Sequence, residues 1–172
     1  MTPRREKEVE EESGVNSNFI FGISPLAETS EFSDIYDLFI EYKTRSDIES
    51  EMPAPTEDVQ KYFECVVNIF GKDKLSQPRI LCKIEELYHL HVFDDSKKWR
   101  TWKKKPQFLR SSNTFIIYSF FMFENIYYFY ILDWVKVDSE GKDGHEALEL
   151  DENITKWLQL AEVYRLSIVK IL

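Results

Sequence analysis

Three of the 172 residues are histidines, and imidazole is the side chain best suited to moving protons near neutral pH. His89 and His91 stand two apart in LYHLHV, so on a strand both rings project from one face. His145 follows a glycine-containing loop and precedes a helical pattern. The plainer reading of His89 and His91 is a pair of half-buried sheet residues. Their spacing could also begin a metal site, but no cysteine or carboxylate is placed to finish one, so neither a metal nor a cofactor is expected. Arg110 and Arg165 offer permanently charged forks of donors for a phosphate, with a surface salt bridge as the alternative for each.

A second constellation is basic. Lys97, Lys98, Arg100, Lys103, Lys104, Lys105 and Arg110 are seven of the 22 positive residues, with Trp99, Trp102 and Phe108 between them and no acid. Cations beside exposed rings suit single-stranded nucleic acid, whose phosphates meet charge while its bases stack. A solvated loop with one or two Trp anchored in the core is the competing reading. Against 31 acids the formal charge is −9, which excludes a uniformly basic nucleic-acid coat. Such a body repels RNA beyond a Debye length of ~10 Å and leaves only the local patch to attract it.

Other chemistries lack support. No Gly-rich phosphate loop, HExxH, CxxC or GxSxG is present. Cys65 and Cys82 allow at most one bridge, and no apolar segment follows MTPRREKEVEEE, so a reducing, cytoplasmic setting is expected. Thr114 to Val135 has the length of a membrane span, but Glu124 and Asn125 interrupt its centre, and an antiparallel hairpin turning there is the better reading. No membrane association is expected.

These side chains need elements to position them. Residues 1–17 are charged and nearly free of apolar groups, which predicts a disordered acidic extension before one domain at 18–172. Phe19 to Ile23 reads as a strand; Phe32, Ile35, Phe39 and Tyr42 recur at helical spacing. Pro53 and Pro55 break the chain ahead of a second helix capped by Thr56, with a stripe of Val59, Tyr62, Phe63, Val66 and Phe70 and Gly71 as its C-terminal cap. From Arg79 the period shifts towards two, with Tyr88, Leu90 and Val92 as the expected core face of a strand. After the hairpin and a loop at Asp138 to Gly144, a helix carries Ile154, Trp157, Leu158, Ala161, Tyr164, Ile168 and Ile171. The expected fold is α+β, a small antiparallel sheet with helices packed on it.

Many short motifs in one order then resemble a known family. They are Phe70-Gly71-Lys72-Asp73-Lys74-Leu75, Lys83-Ile84-Glu85, His89-Leu90-His91-Val92, Gln107 to Asn113 with Ile117-Tyr118, Gly144 to Leu148, and Leu160 to Arg165. Together with Phe19 to Ser24 and Phe39 to Lys43, they resemble the YafO family of bacterial type II toxins, mRNA interferases similar to the RelE group. The similarity spans roughly Asn18 to Arg165, with an inserted helix at about 48–68.

The resemblance implies a RelE-like fold, metal-independent cleavage of mRNA on the translating ribosome, and neutralisation by a cognate antitoxin. In such chemistry the RNA's 2′-hydroxyl is the nucleophile, a base removes its proton, cations stabilise the phosphorane and an acid protonates the leaving 5′-oxygen. His89 or His91 is expected as base, His145 as acid, and Arg110 with Arg165 on the phosphate. Lys97, Lys98, Trp99, Arg100, Trp102, Lys103, Lys104, Lys105 and Tyr118 are expected to touch RNA, with Tyr118 and Lys83 as lesser catalytic candidates. Glu146 and Asn113 depart from the family's usual basic residue and Asp. The alternative is therefore an inactive member that binds RNA, ribosome or antitoxin.

Overall fold

The computed structural model describes residues 7–9, 18–46, 48, 51–76, 85–136 and 144–170. In chain order these form strands β1 (Lys7–Val9) and β2 (Asn18–Ile23), a 3-10 turn (Ser30–Phe32) and helix α1 (Ser33–Arg45). Helix α2 (Glu57–Tyr62) precedes strands β3 (Phe70–Leu75) and β4 (Leu87–Val92). Helix α3 (Trp99–Lys104), a second 3-10 turn (Gln107–Leu109), strands β5 (Thr114–Phe123) and β6 (Ile126–Val135), and helices α4 (Gly144–Glu149) and α5 (Asp151–Val169) complete the order. Cys82, Lys83, the loop at 138–143 and the acidic extension other than β1 lie outside the described residues.

The fold is α+β, with a six-stranded sheet in the order β1-β2-β6-β5-β4-β3. It is mixed, which corrects the expectation of a wholly antiparallel sheet: β2 runs parallel to β6, and every other pairing is antiparallel. The reason is topological. β2 leads into α1, and the chain returns to the sheet only after the helices, so β2 meets the free side of the hairpin's second arm running in the same direction. β1 pairs with β2 inside the stretch expected to be disordered.

Both faces of the sheet are covered, which is why the hairpin reads as an almost unbroken apolar run. Ile116, Tyr118, Phe120, Phe129 and Ile131 pack with Leu90 and Val92 against Phe32, Tyr36, Phe39 and Tyr42 at the α1 side. Phe115, Ile117, Tyr128, Tyr130 and Leu132 pack on the other face against Leu148, Ile154, Trp157, Ala161 and Tyr164 of α4 and α5. Glu124 and Asn125 make the expected turn with φ of 50° and 63°, the left-handed pair that suits a two-residue hairpin. No helix among the described residues is long and apolar enough to cross a membrane.

The second helix ends earlier than its stripe predicts. Thr56 caps it, its hydroxyl accepting from Val59 N–H at 3.2 Å, but Tyr62 and Phe63 point outward and Phe70 begins a strand. Val66, Val67, Ile69 and Phe70 are β-branched or aromatic, and strand propensity with burial outweighs the accidental helical spacing. Gly71 is a strand residue, not a cap: a Cβ there would stand 2.4 Å from the Arg110 carbonyl oxygen and 2.8 Å from Trp102. The last helix divides at Leu150 into α4 and α5; of its predicted stripe Ile154, Trp157, Ala161 and Tyr164 are buried and Leu158 and Ile168 half-buried, while Ile171 lies outside the described residues.

Candidate active site

The alternation of β4 sends Leu90 and Val92 into one core and Leu87, His89 and His91 towards the other, so both faces of this strand are buried. His89 and His91 are 4% and 3% exposed with ring centroids 5.4 Å apart. Phe115, paired opposite His91 on β5, stands 5.3 Å from His89 and 4.5 Å from His91. His145 reaches the same ring from α4, 4.9 Å from Phe115 and 5.9 Å from His91. Three imidazoles that are up to 56 positions apart thus surround one phenyl ring, and among them His145 is the solvent-exposed one.

That convergence depends on a glycine. Gly144 donates its N–H to the Asn113 carbonyl at 3.0 Å, and a Cβ on it would lie 2.4 Å from the Phe115 ring. Only a residue without a side chain lets the start of α4 come this close to β5.

The buried rings are held neutral. Burial lowers the His91 pKa to about 3, with electrostatic contributions from the neighbouring His145, Lys74 and Lys72 adding to the effect. Burial likewise drives His89 well below the ordinary histidine range, with His91, Lys74, His145 and Lys72 adding to the effect. His91 Nδ1 faces the Ser112 backbone, 3.0 Å from its nitrogen and 3.2 Å from its carbonyl oxygen, so its role as acceptor or donor there depends on the tautomer. His89 Nδ1 is 3.0 Å from the Ser76 hydroxyl.

Cations edge this face. Lys74 pairs opposite His89, which puts the two side chains on the same side of the sheet, and Lys72 acts on both buried histidines. Sequence reasoning passed over these lysines, together with Ser76 and Ser112, because β3 was hidden in a helical spacing. Next to the cluster in the chain, an opening of about 210 Å³ is lined by Lys97, Lys98, Lys105 and Ser111. Lys97, Lys98, Trp99, Arg100, Lys103, Lys104 and Lys105 are all exposed, whereas Trp102 is buried, its Nε1–H donating to the Asn68 carbonyl at 2.8 Å. The segment thus combines the two readings: one Trp anchors it and the cations face water.

The other predicted site residues fall elsewhere. Arg110 is buried, and its guanidinium donates to the carbonyls of Lys105 at 2.9 Å, Lys103 and Phe70 at 3.3 Å and Asn68 at 3.4 Å, so its donors fasten α3 to the start of β3. Arg165 pairs with Glu85 at 3.1 Å, in an open pocket of about 360 Å³ that also holds Glu51 and Glu86. It lies fourteen residues into α5, roughly 21 Å along the axis from Asp151, so it is remote from His145. An acidic pocket is the wrong sign for phosphate.

Tyr118 lies on the α1 face, inside a buried polar network. The Lys43 ammonium, fully buried, donates to Asp73 Oδ2 at 2.6 Å, the Pro53 carbonyl at 2.6 Å and the Tyr118 hydroxyl at 2.7 Å. Tyr118 donates to Asp73 Oδ1 at 2.7 Å, and Tyr42 donates to Oδ2 at 3.1 Å while accepting from Gln107 at 2.7 Å. Burial brings the Lys43 pKa down to about 8 despite the Asp73 carboxylate, and burial with the Asp73 charge raises both phenols well above their usual value.

The profile of one family, described as toxin YafO of type II toxin–antitoxin systems, matches residues 41–166. No curated protein and no solved structure shows significant similarity to the chain. The matched stretch contains every element of the histidine cluster and all of the basic segment.

Proposed function

The chain belongs to the YafO toxin family of type II toxin–antitoxin systems, and on that premise we propose that it is a ribosome-dependent endoribonuclease that cuts mRNA at the histidine face. What supports this reading above all is the meeting of His145 with His89 and His91 around Phe115, beside Lys72 and Lys74. In the proposed reaction His145, open to water, takes the proton of the RNA 2′-hydroxyl. The 2′-oxygen attacks phosphorus, and the bond to the 5′-oxygen breaks. His89 and His91, buried and neutral, hold Phe115 and His145 in place behind the reacting phosphate. Lys72 and Lys74 balance the charge of the phosphorane, and Lys72, whose pKa burial lowers, protonates the departing 5′-oxygen. The arm from Lys97 to Lys105 guides the strand. Arg110 then acts only through the fold, and Arg165 stands outside the site.

mRNA end mapping after brief expression tests this. Wild type is expected to cut translated reading frames, and His145→Ala to cut about a hundredfold less while its unfolding midpoint holds. Undiminished cleavage by His145→Ala overturns the assignment. The deep burial of His89 and His91 favours a second reading, an inactive toxin-fold protein that binds its partners without cutting, and absence of wild-type cleavage on translating ribosomes would decide for it.

A further inference from the structure

The opening of about 210 Å³ in the basic segment has the construction of a site. Its ammonium groups come from Lys97, Lys98 and Lys105 and its hydroxyls from Ser96, Thr101 and Ser111, and among the described residues that line it none is acidic. It is smaller than the ~300–1,000 Å³ of pockets that enclose a drug-sized molecule, and it suits a small anion. Two buried side chains fix one wall. Trp102 lines the opening and donates Nε1–H to the Asn68 carbonyl, and Arg110 donates to the carbonyls of Lys105 and Lys103 at 2.9 and 3.3 Å, which sets the end of α3. Asp94 fixes the other wall. Its carboxylate accepts from Ser96, through the backbone N–H at 3.1 Å and the hydroxyl, and also from the Asn113 N–H at 3.1 Å and the Thr114 hydroxyl at 2.9 Å. Both of its oxygens are thus engaged in tying Ser96 to the start of β5. Asp95, the next acid in the chain, is exposed and outside the lining.

Three consecutive residues carry this opening to the histidines. Ser111 lines it, the Ser112 backbone meets His91 Nδ1, and the Asn113 carbonyl accepts from Gly144, the residue before His145. Ser111 and Asn113 are two residues apart, so their Cα atoms lie within about 7 Å of each other. A strand that crosses His145 therefore passes the opening within a nucleotide or two. We propose that the opening is a phosphate subsite, in which Lys97, Lys98 and Lys105 hold a phosphate of the same single RNA strand one or two nucleotides from the phosphate at His145. Asp94 is its positioning residue. This deepens the reading above and rests on it for the place of the cut phosphate. A second phosphate fixed so near the first sets the direction and register of the strand, whereas Lys103 and Lys104, exposed and outside the lining, contribute only charge.

The test uses strands that cannot be cut, so its outcome is separate from whether the chain cleaves RNA. Single-stranded 2′-O-methyl oligonucleotides with one to five phosphates compete for the full chain against a fluorescent decanucleotide of the same chemistry, read by anisotropy. Affinity is expected to rise by one step of about tenfold at the second or third phosphate and more gently elsewhere in the series. The step should vanish on a Lys97→Gln, Lys105→Gln chain and persist on a Lys103→Gln, Lys104→Gln chain, which loses the same charge outside the opening. Asp94→Ala removes a negative charge, which alone would tighten RNA binding, yet it is expected to abolish the step. Unfolding midpoints report that each variant keeps its fold. An even rise with every added phosphate overturns the proposal, as does a step that survives Asp94→Ala or is lost equally from both lysine pairs. Failure of the decanucleotide to bind overturns it too. A hexaglutamate peptide that competes as well as the matched oligonucleotide would mark the opening as a general anion patch, which also overturns it.

Discussion

The two faces of one sheet bury polar groups in opposite ways. On the α1 face, Lys43, Asp73, Tyr118, Tyr42 and Gln107 satisfy one another, and Pro53 closes the network from above. On the α5 face, His89 and His91 are buried, but the third imidazole, His145, and the lysine at the edge, Lys74, face water. The same three strands supply both: Asp73 and Tyr118 point one way, and Lys74, His89 and Phe115 the other. A closed polar network confers order, because every member has its partner and no substrate can reach it. An open one leaves donors and charge available. Tyr118, expected at the RNA, belongs to the first kind.

The sharpest way to break that contrast is at Lys43. Lys43→Met leaves Asp73 buried without its cation and is expected to cost about 3–5 kcal/mol in urea unfolding. A companion Asp73→Leu should recover much of the loss; a double variant as unstable as the single one would show that the network is not the unit it resembles. A smaller effect separates the histidine face. The folded chain keeps His89 and His91 neutral far below the ordinary histidine value of 6.5, whereas the unfolded chain takes up protons near it. The unfolded state then binds more protons, so stability is complete above pH 6.5 and declines as pH falls towards 3. Between pH 6.5 and 5 the His91 share of the loss should be roughly 1.5 kcal/mol, and His91→Phe should remove that share in thermal unfolding over that range. The least effect is expected at Arg165. Its pair with Glu85 is partly exposed, so Arg165→Ala should cost about 0.5 kcal/mol and leave mRNA cleavage at the wild-type level. A large fall in cleavage would return Arg165 to the site.

What the chain disclosed in advance follows the physics of local pattern. The hairpin, its turn at Glu124-Asn125, α1 and the stripe of α5 were legible because each is written in adjacent residues. β3 was not, since Val59, Tyr62, Phe63, Val66 and Phe70 mimic one helix face and only burial distinguishes the outward Tyr62 and Phe63 from the inward Phe70. With β3 unseen, Lys72 and Lys74 had no place beside the histidines. The neighbourhood of His89 and His91 was legible from period two, whereas the arrival of His145 depends on the packing of Gly144 on Phe115, a contact no spacing encodes. The contacts of the two arginines, backbone carbonyls for Arg110 and Glu85 for Arg165, were not legible because residue type says what a guanidinium can hold and nothing of which acceptors lie nearby.

One irregularity in β3 now takes on weight. Its pairing with β4 shifts between Phe70 and Asp73, and this shift sets the parity of Lys72, Asp73 and Lys74. Were the strand to slide by one residue, every side chain would change sides: two ammonium groups would enter the aromatic core and the carboxylate would move to the histidine side. Deleting or inserting a single residue in this six-residue strand would therefore destabilise the core and reverse the polarity of the sheet edge in the same stroke.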